Sequence, residues 1–422
     1  MTRGTARQAW QPPAAPGRAS HHALGARRGP GQLAEVSPAA RHALLYATQF
    51  FAFGVILPFL PAVLAARGLD PAEIALVLAV GSAVRLVAGP LGGRLADVLA
   101  APRAVLAMAA AVSALAASGY LVAAGFGAML VVHAALSIGM APIVPLSDAA
   151  TIAAARGAGP DGAGRERFDY GRVRAAGSIA FILAALLAGQ AVAGFGADAA
   201  IGLIVAGCAA TAGAALLLPR AAPRVAGDRR GGAGFLAPLR IPAFRHLLLV
   251  SALIQGSHAF YYAFGTLHWQ AQGLGEGLIG ALWAIGVLAE IALFLWGRGV
   301  VERLGALGLS LIAAAAGVVR WGATALTADP ALLVPLQLLH AATFGAQHLA
   351  AIQILARVVP PAEAGTAQAL HASLGAGLSI GVLTLASGPL YGAFGGGGYW
   401  AMAALCALAL PASFLLGRSL RR

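Results

Sequence analysis

The sequence predicts an all-α membrane protein with twelve transmembrane helices in two pseudo-symmetric halves of six. Of its 422 residues, 59% are hydrophobic and only 10% are charged, whereas soluble domains carry about 25% charged residues. The apolar runs reach roughly 20 residues, the length that a helix needs to cross a bilayer. They do not alternate apolar and polar residues as the strands of a membrane barrel do. All 28 basic residues are arginines, and they cluster between the runs.

Twelve apolar runs, which we call spans 1 to 12, lie between clusters of charged and turn-forming residues. With the N-terminus in the cytoplasm, all arginines except Arg67, Arg85 and Arg320 fall on the cytoplasmic side, as the positive-inside rule requires. We therefore expect a multi-pass protein with both termini in the cytoplasm. The Arg-rich composition without lysine is typical of a G+C-rich bacterial genome, so the expected location is a bacterial inner membrane. The predicted limits of the spans are 41–66, 72–93, 103–124, 126–155, 171–195, 198–218, 243–271, 276–297, 304–327, 330–357, 364–390 and 397–417.

The longest interior hydrophilic stretch divides the spans into two sets of six. We predict a disordered cytoplasmic tail at 1–40, which is rich in Pro, Gly and Arg; a start codon assigned too far upstream is the alternative explanation. An N-terminal six-helix half follows at 41–219, a basic cytoplasmic linker at 220–241, and a C-terminal six-helix half at 242–422. Two similar halves joined by a basic loop are typical of secondary transporters built from repeats.

The loop "GPLGGRLADVLAAPR" between spans 2 and 3 resembles the signature G-x-L-A-D-R-x-G-R-R of the major facilitator superfamily. Val98 and Ala100 depart from this signature, and "GRGVVERLG" stands at the matching place between spans 8 and 9. The resemblance implies that Asp97 helps to lock the two halves together on the cytoplasmic side. The alternative is an ordinary turn with an acid near a helix end. The matching residues are Gly93, Leu95, Ala96, Asp97 and Arg103.

Several longer stretches resemble one branch of that superfamily, the phenylpropionate permeases, which are related to the lactose and nucleoside proton symporters. They include "PLSDAATI", "YGRVRAAGSIAFI" and "LLHAATFGAQHLAAIQ". The resemblance implies the major facilitator fold and proton-driven uptake of a small organic solute, with an aromatic carboxylate as the first candidate. Proton-driven efflux, a sugar or nucleoside as the substrate, and a membrane ligand sensor stay open as alternatives.

Polar stripes run along several spans, most clearly along "QGSHAFYYAFGTLHWQAQG" in span 7. Helical spacing places five of its side chains on one face, and polar groups that face lipid would stay unpaired at a cost of several kcal/mol each. The stripes therefore predict a central substrate cavity, although hydrogen bonds between helices, at about 0.6 kcal/mol each, or an interfacial aromatic belt would also explain single residues. The predicted cavity residues are Gln49, Phe53, Asp148, Gln255, His258, Tyr262, Thr266, Trp269, Trp283, Thr343, Gln347, Gln368 and His371.

Glu290 is the most isolated charge in an apolar span, where a charge costs roughly 3 kcal/mol and needs a partner or a function. A carboxyl group in apolar surroundings can take up and release a proton near neutral pH. Arg320 in span 9 is its expected partner, and His340 in span 10 would pass the proton or bind substrate. This trio resembles the proton site of the lactose symporters, which have a further acid where this chain has Thr343 or Phe344.

The remaining interior charges are predicted to have gating or structural roles. Arg85 and Asp148 could pair between spans 2 and 4, and a structural ion pair is the alternative role for this pair as well as for Glu290 and Arg320. Arg172 and Arg174, at the cytoplasmic end of span 5, are expected to anchor lipid headgroups or close the cytoplasmic gate. Asp97 and Arg103 complete this set.

No pattern indicates an enzyme: the sequence has no His-Glu-x-x-His, no serine beside a plausible base and no cysteine pair. We expect no metal and no cofactor other than a proton gradient. The net charge of +13 does not indicate nucleic acid, because the arginines follow the predicted cytoplasmic loops. The expected partners are a small-molecule substrate and the lipid bilayer, and the expected oligomeric state is a monomer.

Overall fold

The computed structural model describes residues 36–155, 168–219 and 236–421. All helices belong to one compact unit that begins at Pro38. The predicted tail lies outside the described residues except for its last few, and so does most of the predicted linker, so both stay predictions. The described ranges are almost entirely helical and contain no β-strand, which confirms the all-α membrane fold.

The helices of the first half connect through short turns. A one-turn 3₁₀ helix, Gly119–Leu121, extends the third helix. Pro58 and Pro61 lie inside the first helix without ending it, as is common for proline in transmembrane helices. The helices are α1 (Pro38–Ala66), α2 (Pro71–Val98), α3 (Pro102–Ser118), α4 (Gly125–Met140), α5 (Ile143–Ala155), α6 (Tyr170–Phe195) and α7 (Asp198–Leu216).

The second half contains more interruptions than the first. Two stretches, Ala341–Ala346 and His371–Leu378, are π-helical, a geometry that is frequent at functional sites. The helices are α8 (Pro242–Gly256), α9 (Ala259–Ala271), α10 (Glu276–Trp296), α11 (Arg298–Leu326), α12 (Pro330–Leu338), α13 (Gln347–Val358), α14 (Ala364–Leu370), α15 (Ser379–Phe394) and α16 (Tyr399–Ser419), with 3₁₀ turns at Ala237–Arg240, Pro361–Glu363 and Gly395–Gly398.

Ten helical segments of the described chain are long and apolar enough to cross a membrane. One of them, Ala364–Ser419, contains two of the predicted spans, which meet at the 3₁₀ turn Gly395–Gly398. Span 10 is not among the ten; a turn at Leu339 separates the nine-residue helix Pro330–Leu338 from the π-helical stretch and α13. The multi-pass membrane architecture is confirmed, and the number of twelve crossings stays a prediction.

Acidic residues in the short turns begin several helices. The Asp70 carboxylate accepts a hydrogen bond from the Glu73 backbone N–H at 2.8 Å, and the Asp70 N–H donates to Glu73 Oε2 at 3.0 Å. This reciprocal pair is a capping box, and Pro71 occupies the first turn. Asp169 caps α6 in the same way through the Arg172 N–H at 2.7 Å. These caps place the ends of the helices that carry the interior charges.

Spans 4 and 7 are confirmed as membrane-crossing segments, Gly125–Ala155 and Pro242–Ala271, but a two-residue turn interrupts the helix within each. α4 ends at Met140, just before Pro142, whose ring cannot donate a backbone hydrogen bond. α8 ends at Gly256, where the Ser257 hydroxyl donates to the Ile254 carbonyl at 2.7 Å and His258 Nδ1 lies 3.1 Å from the same oxygen. Side chains that bind a backbone carbonyl compete with the hydrogen bonds of the helix. The helix therefore breaks here, and the His258 side chain turns toward Thr343 in the same half.

Glycines join the two halves at one end of the bundle. By the up-and-down path of the chain, the helix ends near Arg94, Arg172 and Arg298 lie at one end, which we call the basic end. At the other end, Gly280 of α10 packs against the Ala185 carbonyl of α6, and Gly388 of α15 packs against α2. A Cβ atom at Gly280 would overlap the Ala185 oxygen, so this close approach of backbones requires glycine.

We call the contacts of Gly280 and Gly388 at this end the glycine seal. Gly280→Val should hold the two halves apart at this seal, because valine has no room there. Ala185 is fully buried, so in an Ala185→Cys background without the native cysteines we expect slow labelling by a water-soluble thiol reagent. Adding Gly280→Val should accelerate labelling at least about tenfold. Gly194→Val, also in α6 but with open space around it, is the matched control. Equal labelling rates in all three variants would show that Gly280 does not seal this end.

At the basic end, Asp97 is exposed and its carboxylate has no hydrogen bond or ion pair to any described residue. Arg103 donates to the Leu218 carbonyl at 2.9 Å and thereby ties α3 to the end of α7 within one half. The lock that the loop signature implies is therefore not formed in this conformation among the residues that the structure describes, and the role of Asp97 stays a prediction.

Candidate functional site

Arg320 of α11 is fully buried in the second half and is held by neutral acceptors. Its guanidinium donates to Gln337 Oε1 and Thr343 Oγ1, both at 3.0 Å, and to His340 Nδ1 at 3.1 Å. A buried cation without a nearby carboxylate is costly. Three hydrogen bonds and the faces of Trp321, at 4.4 Å, and Tyr261, at 5.1 Å, offset that cost.

His340 connects Arg320 to Glu290. Because a guanidinium can only donate, His340 Nδ1 must accept, and the proton of a neutral ring is then on Nε2. That nitrogen lies 3.9 Å from Glu290 Oε2, too far for a hydrogen bond but close enough for one water or a small movement to connect them. The predicted direct pair of Glu290 and Arg320 is therefore wrong, because the imidazole lies between the two charges.

His258 is oriented by the same network. Its Nδ1 donates to the Ile254 carbonyl, so its Nε2 accepts a hydrogen bond from the Thr343 hydroxyl at 3.2 Å. The same hydroxyl accepts from Arg320. We call Arg320, His340 and Glu290 the charged centre. The break between α8 and α9 turns His258 toward this centre, where its side chain helps to position Arg320.

In the first half, Asp148 of α5 is surrounded by donors. Its Oδ1 accepts hydrogen bonds from the hydroxyls of Tyr46 at 2.5 Å and Tyr170 at 3.1 Å, and Arg174 Nε lies 3.9 Å away. The predicted pair with Arg85 is wrong, since the contact of Arg85 is a hydrogen bond to Ser82 at 3.3 Å. Spans 2 and 4 do pack together, but Arg85 bonds within its own helix, whereas Asp148 bonds to α1 and α6.

Arg174 lies inside the first half, whereas Arg172 is exposed at the beginning of α6. The guanidinium carbon of Arg174 is 4.1 Å from the centre of the Phe50 ring and 5.2 Å from that of Tyr46. Its side chain keeps 32% of its exposure, as does that of Asp148. This position beside aromatic rings does not fit the predicted headgroup anchor for Arg174, and it leaves the guanidinium facing solvent-accessible space.

Helix register places Arg174 opposite Glu290. α6 and α10 run antiparallel, and Gly189 contacts Glu276 while Ala185 contacts Gly280. Continuing this register toward the basic end brings residue 174 level with residues 290 and 291. The Glu290 side chain keeps 18% of its exposure and that of Arg174 keeps 32%. Partly exposed charges from both halves therefore lie at the same level of the bundle.

The predicted cavity residues divide into two groups. Phe53, Asp148, Tyr262 and His371 are half-buried and Gln368 is exposed. The others are buried in this conformation, and six of these eight form side-chain hydrogen bonds within their own half: for example, Ser147 donates to Gln49 at 3.0 Å, Trp283 to Thr266 at 3.1 Å and Gln347 to Ser251 at 3.0 Å. Trp269 Nε1 and Gln255 Oε1 are buried and have no hydrogen-bond partner among the described residues. The buried residues that form this group are Gln49, Gln255, His258, Thr266, Trp269, Trp283, Thr343 and Gln347.

Sequence reasoning missed Tyr46, Phe50 and Tyr170. Tyr46 and Phe50 lie one turn apart on α1, next to the predicted Gln49 and Phe53, so the spacing of polar and aromatic residues along span 1 was a usable signal. Tyr170 is the first residue of "YGRVRAAGSIAFI", a stretch that resembles the family but in which the sequence alone singles out only the arginines. The described residues contain no group of three His, Cys, Asp or Glu side chains that could hold a metal.

Cysteine labelling can distinguish the half-buried from the fully buried positions of span 7. Tyr262 is half-buried and His258 is fully buried, so we expect Tyr262→Cys to react with a water-soluble thiol reagent and His258→Cys to stay unreactive. Both variants are made without the native cysteines. Equal reactivity at the two positions, measured by mass spectrometry of the labelled protein, would contradict this placement.

The two halves of the bundle pack closely at one end, and partly exposed charges lie between them. This arrangement is typical of a membrane transporter. The MFS_1-like family model matches residues 40–402. The chain therefore belongs to this family, which is part of the major facilitator superfamily.

Curated relatives of this chain are transporters and not enzymes. It is 34% identical over 385 residues to a probable 3-phenylpropionic acid transporter of Escherichia coli (strain K12), which covers 88% of this chain and 96% of that protein. It is 28% identical over 355 residues to a maltose permease of Geobacillus stearothermophilus, covering 82% and 86%. The resemblance to the phenylpropionate branch is thus confirmed at the level of sequence similarity.

Solved structures share the fold. The nucleoside transporter NupG superposes with a TM-score of 0.75 at 18% identity, covering 91% of this chain and 99% of that one. An inward-facing, unoccupied bacterial homolog of the human lysosomal transporter Spinster gives a TM-score of 0.70 at 14% identity, covering 90% and 96%. At these identities the similarity concerns the fold alone.

Proposed function

We propose that this protein is a proton-coupled symporter that takes up a small aromatic carboxylate across a bacterial inner membrane by alternating access. The observation that carries this proposal is the position of Arg174. This partly exposed guanidinium lies on the Phe50 ring and, by the register of α6 and α10, is level with Glu290 of the other half. The protein acts as a monomer, and the proton gradient is its energy source.

The substrate class follows from the side chains around Arg174. A guanidinium binds a carboxylate through two parallel hydrogen bonds. The aromatic rings of Phe50, Phe53 and Tyr262 offer apolar faces to an aryl group. The similarity to a probable 3-phenylpropionic acid transporter supports the same class.

The proton site is Glu290 with His340 and Arg320. Glu290 is the acid of the second half that lies well inside a transmembrane helix, and His340 directs its Nε2–H toward it. When Glu290 is ionised, it attracts Arg174; when it is protonated, Arg174 is released for the substrate carboxylate. Proton and anion then increase each other's affinity, because coupling between two sites is reciprocal.

The mechanism also depends on which end of the protein faces the cytoplasm and at which end the two halves are separated. The positive-inside rule places the basic end in the cytoplasm with both termini. The glycine seal is then at the outer face, so that this conformation opens toward the cytoplasm. Rocking of the halves about the charged centre would expose Arg174 and Glu290 to the other side.

Uptake into proteoliposomes tests this function. With acid outside, the purified protein should accumulate radiolabelled 3-phenylpropionate, and a protonophore should abolish the accumulation. Acid inside should drive the same substrate outward if the coupling is symport. Uptake that ignores the gradient would contradict proton coupling, whereas gradient-driven uptake that only a sugar or a nucleoside competes away would contradict the substrate class.

A further inference from the structure

Asp148 poses an electrostatic problem for a site that takes an anion. Its carboxylate lies 3.9 Å from Arg174 Nε, beside the group that we assign to the substrate carboxylate. Two unneutralised carboxylates sharing such a space repel each other. An unpaired Asp148 would also compete with the substrate for the guanidinium.

The hydroxyls of Tyr46 and Tyr170 address this problem directly. Both donate to the same oxygen, Asp148 Oδ1, at 2.5 and 3.1 Å. The contact to Arg174 is longer than a hydrogen bond. Hydrogen bonds to a charged group are about twice as strong as neutral ones, so the tyrosines, rather than the arginine, satisfy the carboxylate.

Asp148 is also held rigidly within the first half. α1 and α5 are joined at three successive turns: His42 Nδ1 lies 2.9 Å from Thr151 Oγ1, Tyr46 donates to Asp148, and Ser147 donates to Gln49. Tyr46 is fully buried, so its hydrogen bond to Asp148 lies within the packing of α1 against α5.

Arg174, in contrast, is held by aromatic faces and by a long ion pair, with its Nε 3.9 Å from Asp148 Oδ1. Its guanidinium makes no hydrogen bond to any residue in the described ranges and lies over Phe50 at 4.1 Å. Its side chain keeps 32% of its exposure. Donors that are partly exposed and unpaired within the described protein are available to a ligand.

We propose that Tyr46 and Tyr170 are positioning residues that determine specificity: by satisfying Asp148 they leave the Arg174 guanidinium to an anionic substrate. This inference rests on the proposed function, since it requires that Arg174 binds the substrate carboxylate. It assigns to the two tyrosines the discrimination between an aryl carboxylate and its neutral analogues.

The test compares an acid with its amide. Thermal stabilisation of the purified protein as a function of ligand concentration gives the affinities for 3-phenylpropionate and 3-phenylpropionamide. In Tyr46→Phe/Tyr170→Phe, Asp148 recruits Arg174, so the ratio of acid to amide affinity should fall about tenfold or more, the usual effect of a hydrogen bond to a charged group. Tyr120→Phe, which removes a buried hydroxyl of the same half bonded to His133, should leave that ratio unchanged.

A rescue variant separates electrostatics from misfolding. Adding Asp148→Asn to the double variant removes the charge that needs satisfying, so the acid-to-amide ratio should return to within about twofold of the wild-type value. An unchanged ratio in the double variant, or no recovery in the triple variant, would overturn the inference while the proposed function stands. If wild-type protein is not stabilised by the acid at all, the proposed substrate class fails before any variant is compared.

Discussion

Glu290→Gln should abolish the accumulation of substrate that a pH gradient drives, while exchange of substrate across the membrane continues. Glutamine has the shape of the protonated carboxyl but cannot release a proton. The proton and substrate movements would therefore be uncoupled. For one proton per substrate, a gradient of about one pH unit supports about tenfold accumulation, and the variant should only equilibrate. His340 would still face the amide, so the network around Arg320 should stay intact.

The measurement needs two assays on the same proteoliposomes, gradient-driven uptake and exchange of internal labelled substrate for external unlabelled substrate. Glu302→Gln is the matched control, because Glu302 is exposed on α11 and pairs with Arg298 far from the centre. Accumulation at the wild-type level in Glu290→Gln would remove Glu290 from the coupling mechanism. Loss of both activities would indicate a role in binding instead.

Arg174→Gln should lower the affinity for an aryl carboxylate by about a hundredfold, and Arg174→Lys by about tenfold. The first substitution removes the charge and the paired donors, which are worth about 1.5–3 kcal/mol for a hydrogen bond to a charged group. The second keeps the charge but loses the planar fork that matches a carboxylate. The difference between the two variants therefore measures the contribution of bidentate geometry.

Affinity is read from thermal stabilisation by 3-phenylpropionate, with Arg172→Gln as the control. Arg172 is two residues away on α6 and is exposed, so its removal tests whether any arginine near the basic end matters. Equal losses in Arg172→Gln and Arg174→Gln would point to a general effect of positive charge on anion binding. Wild-type affinity in Arg174→Gln would exclude Arg174 as the carboxylate ligand.

Much of the architecture could be predicted from apolar runs alone, since backbone groups in lipid must be paired within helices. The capped starts at Asp70, Asp169 and Asp329 follow equally from local chemistry. Continuity of the helices could not be predicted in the same way. At Ser257 and His258 two side chains bind one backbone carbonyl, and apolar periodicity does not register that competition.

The isolation of Glu290, Arg320 and Asp148 within apolar spans was visible in the chain, because a charge in such a run is costly wherever the helix lies. Their partners were not visible. Which side chain meets Glu290 depends on how α10 packs against α6 and α12, and this packing places His340 beside it and Arg174 level with it. Helix spans and caps depend on residues that are close in sequence, so the sequence alone determines them. The pairing of distant charges depends on helix rotation and register, which only the assembled bundle specifies.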